Sequence, residues 1–590
     1  MENYFRKCRL LPAMTLLGGL ALASCVNSDY DFNEVDATMG FGGEGLELPG
    51  SSTDTIKLAD VLDLGDDDCV KVRPNGDYVF EQVGDNVEPA QPEIAPISVT
   101  QRQSVSYDID INVEPATRSA GDARAVTVVL SADGDMQSFE YDGDKPAEVV
   151  GLDYAETDAN LSFSLHFPAG LSSVVASLDE ISIQMPSFME LSDVSANIGA
   201  DGSWSIDGSR IVFSNITTSR DLTVSARVSR LRFGVSDELG SLGIEGDKIV
   251  LDGRVHVSMN SVATVSGGSI EGLTASSDFA IDDMQITSVT GRFDPEIDLD
   301  NLGDVEITGV PDFLTDGNVR VDLYNPQILL TLNSDLNMGG FVGGTLTSWK
   351  DGQPIASVTV PEMAVRAGGM TEMCICRNGE GIEGYDVVQV VPELSTLIET
   401  IPDRITFEGT ARADRNQTCE FELGHRYTVQ PAYRVEAPIA FAENAQIVYK
   451  DTIDEWHEDI EDFELSDNSY ITFTANIENR VPAYLTLSAY AIDVDGQRMG
   501  DDEIKVEVSN TVIASADGET SSETPLTIRV SQNDGRALSR LDGLVFDVTA
   551  SASDGGANPV EGMTLNSEKH FLIARDIKIK LVGTLIGDFN

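Results

Sequence analysis

Four kinds of residue in this 590-residue chain have the chemistry for a functional site: clustered cysteines, histidines, paired carboxylates and tryptophans. Cys374 and Cys376 stand two apart, which on a strand puts both thiols on one face at a Cα separation that makes a mutual disulfide awkward. Cys419 and His425 follow downstream. Three readings are open: a disulfide from Cys374 or Cys376 to Cys419, a Cys374/Cys376/Cys419/His425 zinc centre, or free thiols. The ligand types suit zinc, but Cys-x-Cys followed by Cys-x5-His is not a usual finger spacing. A disulfide is therefore expected ahead of a metal, with Cys69 unpaired.

The five histidines, His166, His256, His425, His457 and His570, are scattered, and none forms a His-Glu-x-x-His pair. Neither a Gly-x-Ser-x-Gly elbow nor a phosphate-cradling Gly-x-x-x-x-Gly-Lys occurs. Glycoside hydrolysis needs two carboxylates across a cleft, but among 99 acidic residues spacing cannot select a pair. No catalytic residue is assigned and an enzyme is not expected. For calcium, Asp298-x-Asp300 has Leu302 where a third ligand should sit and Gly309 where the bidentate Glu belongs, so it fails as an EF-hand. Oxygen-rich loops at Asp63/Asp66/Asp67/Asp68 and Asp493/Asp495 allow incidental calcium, and no other cofactor is expected. Trp204 alternates with Ile206 and reads as core. Trp349, in the polar turn Thr347–Gly352, and Trp456, opening the acidic run Glu455–Glu464, are candidate ligand-binding platforms for a sugar face.

The first 25 residues supply an address. Arg6, Lys7 and Arg9 precede an apolar stretch, Leu10–Ala23, that is too short to span a bilayer and has the order of a secretory signal. The tetrapeptide Leu22-Ala23-Ser24-Cys25 resembles the bacterial lipoprotein box. That resemblance implies cleavage before Cys25 and acylation of this cysteine, an anchor made effectively permanent by several acyl chains. The following Val26-Asn27-Ser28-Asp29-Tyr30-Asp31-Phe32 looks like the acidic tag of Bacteroidota lipoproteins carried to the outer face of the outer membrane. Asp54-Thr55-Ile56 and Asp451-Thr452-Ile453 are similar to the O-glycosylation acceptor pattern of that phylum, which implies modification at Thr55 and Thr452.

The elements behind these residues are strands. Period-2 alternation recurs from Ile56 onward, as in Ile471, Phe473, Ala475 and Ile477 opposite Thr472, Thr474, Asn476 and Glu478. Asp-Gly pairs at 133, 142, 207, 252, 316, 495 and 534 read as hairpin turns. One short helix is expected over Pro392–Thr400, opened by Pro392 and closed by Pro402. Val319–Ser334 and Ile471–Ser488 both run strand, Asn, Pro, strand, a pattern that looks like the Asn-Pro bend of late-embryogenesis-abundant type β-sandwiches. The expected fold class is all-β: several tandem antiparallel β-sandwich modules with at most short helices. Expected divisions are a signal peptide (1–24), an acidic tether (25–52), a small N-terminal β module (53–115), β-sandwich modules at 120–240 and 245–385, and a C-terminal β-sandwich region (386–590).

Charge narrows the partners. With 38 Lys+Arg against 99 Asp+Glu the formal net charge is −61, a field that repels phosphate backbones and excludes nucleic acid as a partner. The chain as a whole resembles the Bacteroidota outer-membrane lipoproteins. The resemblance implies a non-enzymatic envelope protein, lipid-anchored in the outer membrane and facing the cell surface or the periplasm, that binds a glycan or protein ligand. The alternatives are a filament subunit, for which Arg118 would be a processing site, and an envelope lipid-handling protein.

Overall fold

The computed structural model describes residues 36–49, 55–62, 64–65, 68–84, 87–99, 103–117, 126–265, 272–282, 284–298, 304–311, 314, 319–457, 464–466, 469–534, 537–553 and 560–588. Among the described residues the structure is all-β: strands make up 62% of them and no helix reaches seven residues, so the cores are built mainly from sheet faces. Those strands assemble around three main hydrophobic cores.

The first core lies inside a curled antiparallel sheet. Its path runs Met189–Ala196, Leu222–Arg232, Val149–His166, Leu273–Ile281, Gln103–Thr117, Val126–Asp144, Lys248–Val265, Ser177–Gln184, Arg210–Thr217 and Ser203–Asp207. Residues 197–202 join the two end strands, so the sheet bends back on itself. The alternation read from sequence is the cause: in Val149–His166, Ala155, Ala159, Leu161, Phe163 and Leu165 are buried while Asp158, Asn160 and Ser162 face water. Phe163, Phe188, Phe213, Phe279 and Phe293 fill the interior, each contributing about 1.5–3 kcal/mol by burial.

The second core is a sandwich. Six strands run in the order Val387–Val390, Gly369–Cys376, Gln327–Ser334, Val429–Pro438, Tyr78–Val83 and Val70–Val72. Four more, Asp304–Glu306, Arg404–Ala413, Gly340–Lys350 and Gln353–Val365, share the core through Val305, Phe407, Val342 and Val360. Val387–Val390 pairs in parallel with Gly369–Cys376, the one parallel ladder among the described residues. The third core joins the sheet Asp36–Pro49, Phe571–Asp588, Tyr470–Asn479, Ser522–Gln532 and Ile504–Ser509 to the strands Gln446–Ile453, Leu541–Ser551 and Tyr484–Asp493.

The sheets do not follow the serial borders expected from sequence. Lys248–Val265 pairs along its whole length with Val126–Asp144, across the border at 240–245. The segment 53–115 is shared out: Ile56–Lys57 pairs with the C-terminal strand, Tyr78–Val83 joins the second core and Gln103–Thr117 the first. Asp36–Pro49, expected within the tether, is a strand paired with Phe571–Asp588.

Local expectations divide in the same way. Asp207-Gly208 turns a hairpin, with Gly208 at φ 61°. Asp142-Gly143 and Asp252-Gly253 instead lie inside long strands, paired with Val250 and Ile249 and with Glu140 and Phe139, because continuous partners override a local turn preference. The short helix is a 3-10 turn, Pro392–Leu397, starting at the expected proline and burying Leu394 and Leu397. In the second Asn-Pro segment Asn479 is fully buried and its Oδ1 accepts the Val481 N–H at 2.8 Å, the bend its sequence suggests.

Candidate functional site

A half-open polar cleft lies on the second sandwich, where five chain segments converge. It encloses ≈ 270 Å³ and is lined by Tyr324, Arg377, Asn378, Glu443, Asn444 and Glu561, with Pro392 and Ala442 completing the wall. Its geometry starts from Asp322, which is 2% exposed. That carboxylate could not be buried alone; it accepts a hydrogen bond from Arg377 Nη1 at 2.8 Å. The same Nη1 donates to the Leu323 carbonyl at 2.9 Å, so the guanidinium is held from two sides. Nε and Nη2 of Arg377 have no hydrogen-bond partner among the described residues.

Backbone bonds fix the rest of the wall. Asn325 donates from Nδ2 to the Asn378 carbonyl and accepts the Asn378 N–H on Oδ1, both at 2.8 Å. In the first Asn-Pro segment, therefore, the asparagine ties a distant loop rather than its own bend. Tyr324 is anchored through its N–H to the Ala440 carbonyl at 2.7 Å, and the turn carrying Glu443 and Asn444 closes through Ala445 N–H to Ala442 O at 3.0 Å. Gly562, at φ 79°, lies against the Tyr324 ring; a Cβ there would come within 3.1–3.2 Å of ring carbons. The lining brings donors, carboxylate acceptors and an aromatic ring into one cleft, which makes a polar binding surface.

Sequence reasoning did not find this cleft, although it came close on both sides. Cys374 and Cys376 lead directly into Arg377, and Pro392 opens the short helix. Each lining residue is an ordinary polar type alone, and only the fold collects positions 324, 377–378, 443–444 and 561.

The sequence-selected residues fall elsewhere. Cys69, Cys374, Cys376 and Cys419 are all free thiols and buried. The expected disulfide to Cys419 is not formed, because Cys419 packs in the first core whereas Cys374 and Cys376 pack with Leu329 in a small separate cluster. Burial pushes the Cys374 thiol up to about 12 and the Cys69 and Cys419 thiols up to about 11. For the same reason the four-residue zinc set is not brought together, and among the described residues no group of three or more His, Cys, Asp or Glu is placed to hold a metal ion. Asp493 Oδ1 is occupied by the N–H groups of Asp495 and Gln497, at 3.0 and 2.9 Å.

Trp349 sits near the end of the strand Gly340–Lys350, not in a turn. Its Nε1–H donates to Thr406 Oγ1 at 3.0 Å, and the Arg404 guanidinium lies 5.2 Å from its ring centroid. Trp456 packs against the third core, 6.4 Å from the Phe473 ring. Trp204, expected in the core, is 39% exposed on the five-residue edge strand Ser203–Asp207; its cross-strand partner Phe213 takes the buried position. Thr55 and Thr452 are exposed, the latter within the strand Gln446–Ile453. Cys25, Asp54, Asp63, Asp66, Asp67 and Arg118 lie outside the described residues.

Two histidines bridge strands. His166 contacts Asp221 through Nδ1 at 2.7 Å and Asp278 through Nε2 at 3.0 Å; hydrogen bonds to these two carboxylates raise its pKa. His256 contacts Asp133 at 2.7 Å and Asp135 at 2.9 Å in the same manner. His570 is the opposite case: it is 3% exposed, accepts the Asn566 N–H on Nδ1 at 2.9 Å, and is pushed down to about 4 by burial.

No protein-family model matches the chain, and no curated protein matches it. Among solved structures the chain is similar to a protein of Parabacteroides distasonis ATCC 8503 assigned as secreted, with 15% sequence identity and a TM-score of 0.36. That distant match covers 51% of this chain and 83% of the other.

Proposed function

We propose that this chain is a non-enzymatic lipoprotein of the outer membrane, held by an acylated Cys25 and acting at the cell surface as a binding or adhesion module. One observation carries the reading. Arg6, Lys7 and Arg9, the apolar stretch Leu10–Ala23 and the tetrapeptide ending at Cys25 occur in the order and spacing of a lipoprotein signal. Supporting it are the all-β architecture and a rigid polar cleft, which together suit a stalk that presents a ligand site. The motif census of the sequence favours binding over catalysis.

Protease shaving of intact cells tests the proposal, with a Cys25→Ala variant as the anchoring control and the mass of the N-terminal peptide as the check on acylation. Loss of the chain from intact cells, a lipid-modified Cys25 peptide, and release of the variant from the membrane fraction are the expected results. Protection until the outer membrane is breached would refute the surface location. Retention of the Cys25→Ala chain in the membrane would refute the anchor.

A further inference from the structure

We infer that the Arg377 cleft binds a neutral polyhydroxylated ligand, a single sugar unit of a glycan; this rests on the reading of the chain as a binding module and names what its site takes. Asp322 and Arg377 neutralise one another at 2.8 Å, which leaves Glu443 and Glu561 as the remaining charges of the cleft. Both are exposed acceptors in a chain of net charge −61, and they disfavour an anionic ligand. A cationic ligand would pair with Glu443 and Glu561 but would leave the donors of Arg377, Asn378 and Asn444 without an acceptor. An apolar ligand would strip water from six polar side chains without replacing their hydrogen bonds.

A sugar ring satisfies all three conditions. Each hydroxyl both donates and accepts, so vicinal hydroxyls can accept from Nε or Nη2 of Arg377 and the amide of Asn378 while donating to Glu443 and Glu561. Asn444 supplies both functions, and the Tyr324 ring, backed by Gly562, gives an apolar surface for the C–H face of the ring. The volume of ≈ 270 Å³ lies just below the roughly 300–1,000 Å³ typical of small-ligand sites, on the scale of one monosaccharide. Pinning by Asp322 and Asn325 means that the donors are in place before a ligand arrives, which lowers the ordering cost of binding.

The test uses the mature, anchored chain in a sugar-free detergent on an array of neutral, uronic-acid and sulfated oligosaccharides, with a lysine-rich peptide alongside and calorimetry on the best binder. Neutral oligosaccharides are expected to bind. Glu443→Gln, Glu561→Gln and Asn444→Ala, all exposed positions, are expected each to weaken binding about threefold to tenfold, and Arg377→Ala at least tenfold. Trp349→Ala and Trp456→Ala should leave the affinity unchanged. Binding of acidic glycans alone, of the lysine-rich peptide alone, or of nothing would overturn the inference. So would neutral-glycan binding untouched by the three exposed variants. Anchoring and exposure are read separately by shaving, so a surface-exposed chain that binds no neutral sugar refutes the ligand class alone, and a sugar-binding chain shielded inside the envelope refutes the surface reading alone.

Discussion

Asp322 holds Arg377 from beneath: its carboxylate is 2% exposed and receives Nη1 at 2.8 Å. The pair is asymmetric, because the guanidinium reaches water and the carboxylate does not. Removing the guanidinium leaves a buried anion without its counter-charge, and this costs more than the pair contributes. Arg377→Ala should therefore lower unfolding stability by about 3 kcal/mol. The double variant Arg377→Met, Asp322→Leu should recover most of that loss by replacing both charges with apolar groups. Urea unfolding of the three chains checks this, and equal losses in single and double variants would show the carboxylate to be solvated.

Thiol chemistry gives a second test. With Cys69, Cys374, Cys376 and Cys419 free and buried, and three of them raised to about 11 or 12, thiolate is scarce at neutral pH. A chromogenic disulfide reagent at pH 8 should titrate fewer than one of these four thiols within minutes in the folded chain and all four in denaturant. A denatured count of two would mean that a disulfide forms in the native compartment.

Two histidines should pull stability in opposite directions with pH. His570 has its folded pKa depressed to about 4, so between there and the ordinary value of 6.5 the unfolded chain binds a proton that the folded chain refuses. Its contribution is present above pH 6.5 and is lost as pH falls toward 4, on the order of 3 kcal/mol in all. His166 has its pKa raised by Asp221 and Asp278, so its contribution is present below pH 6.5 and is lost as pH rises through the folded value. Melting temperatures at pH 5 and pH 8 should show His166→Gln most harmful at the lower pH. His570→Gln should flatten the acid limb of the stability profile. A pH-independent effect of His166→Gln would mean that the bridge carries no charge.

Much of the sheet content was legible because a half-buried strand writes its own period. Ile471 and Phe473 pack on the third core, but Thr472 and Thr474 on the opposite face are half-buried as well, so that face does not simply meet water. Partners were not legible. Nothing in Val126–Asp144 announces Lys248–Val265 as its neighbour, since any apolar face fits another and the pairing is set by long-range closure. The same blindness hid the cleft. Sequence reasoning looked for residue types that are rare, such as cysteine and tryptophan, whereas the site is made of common ones. Trp204 shows the limit of periodicity itself: its alternation with Ile206 is real, but the strand is at the edge of its sheet, where the core face runs out beneath it.

The pairing of Asp36–Pro49 with Phe571–Asp588 has a consequence for the order in which the chain takes shape. During synthesis the N-terminal strand emerges well ahead of its partner, with residues 50–570 between them. Sheets that close over shorter intervals, such as the hairpin Ser203–Thr217, can form in the meantime. Ten residues separate Cys25 from Asp36, a covalent reach of about 40 Å at most. On an acylated chain, the stretch nearest the bilayer would thus wait, tethered and unpaired, until more than five hundred residues had passed through the export machinery, and the sandwich beside the lipid would be the last to be completed.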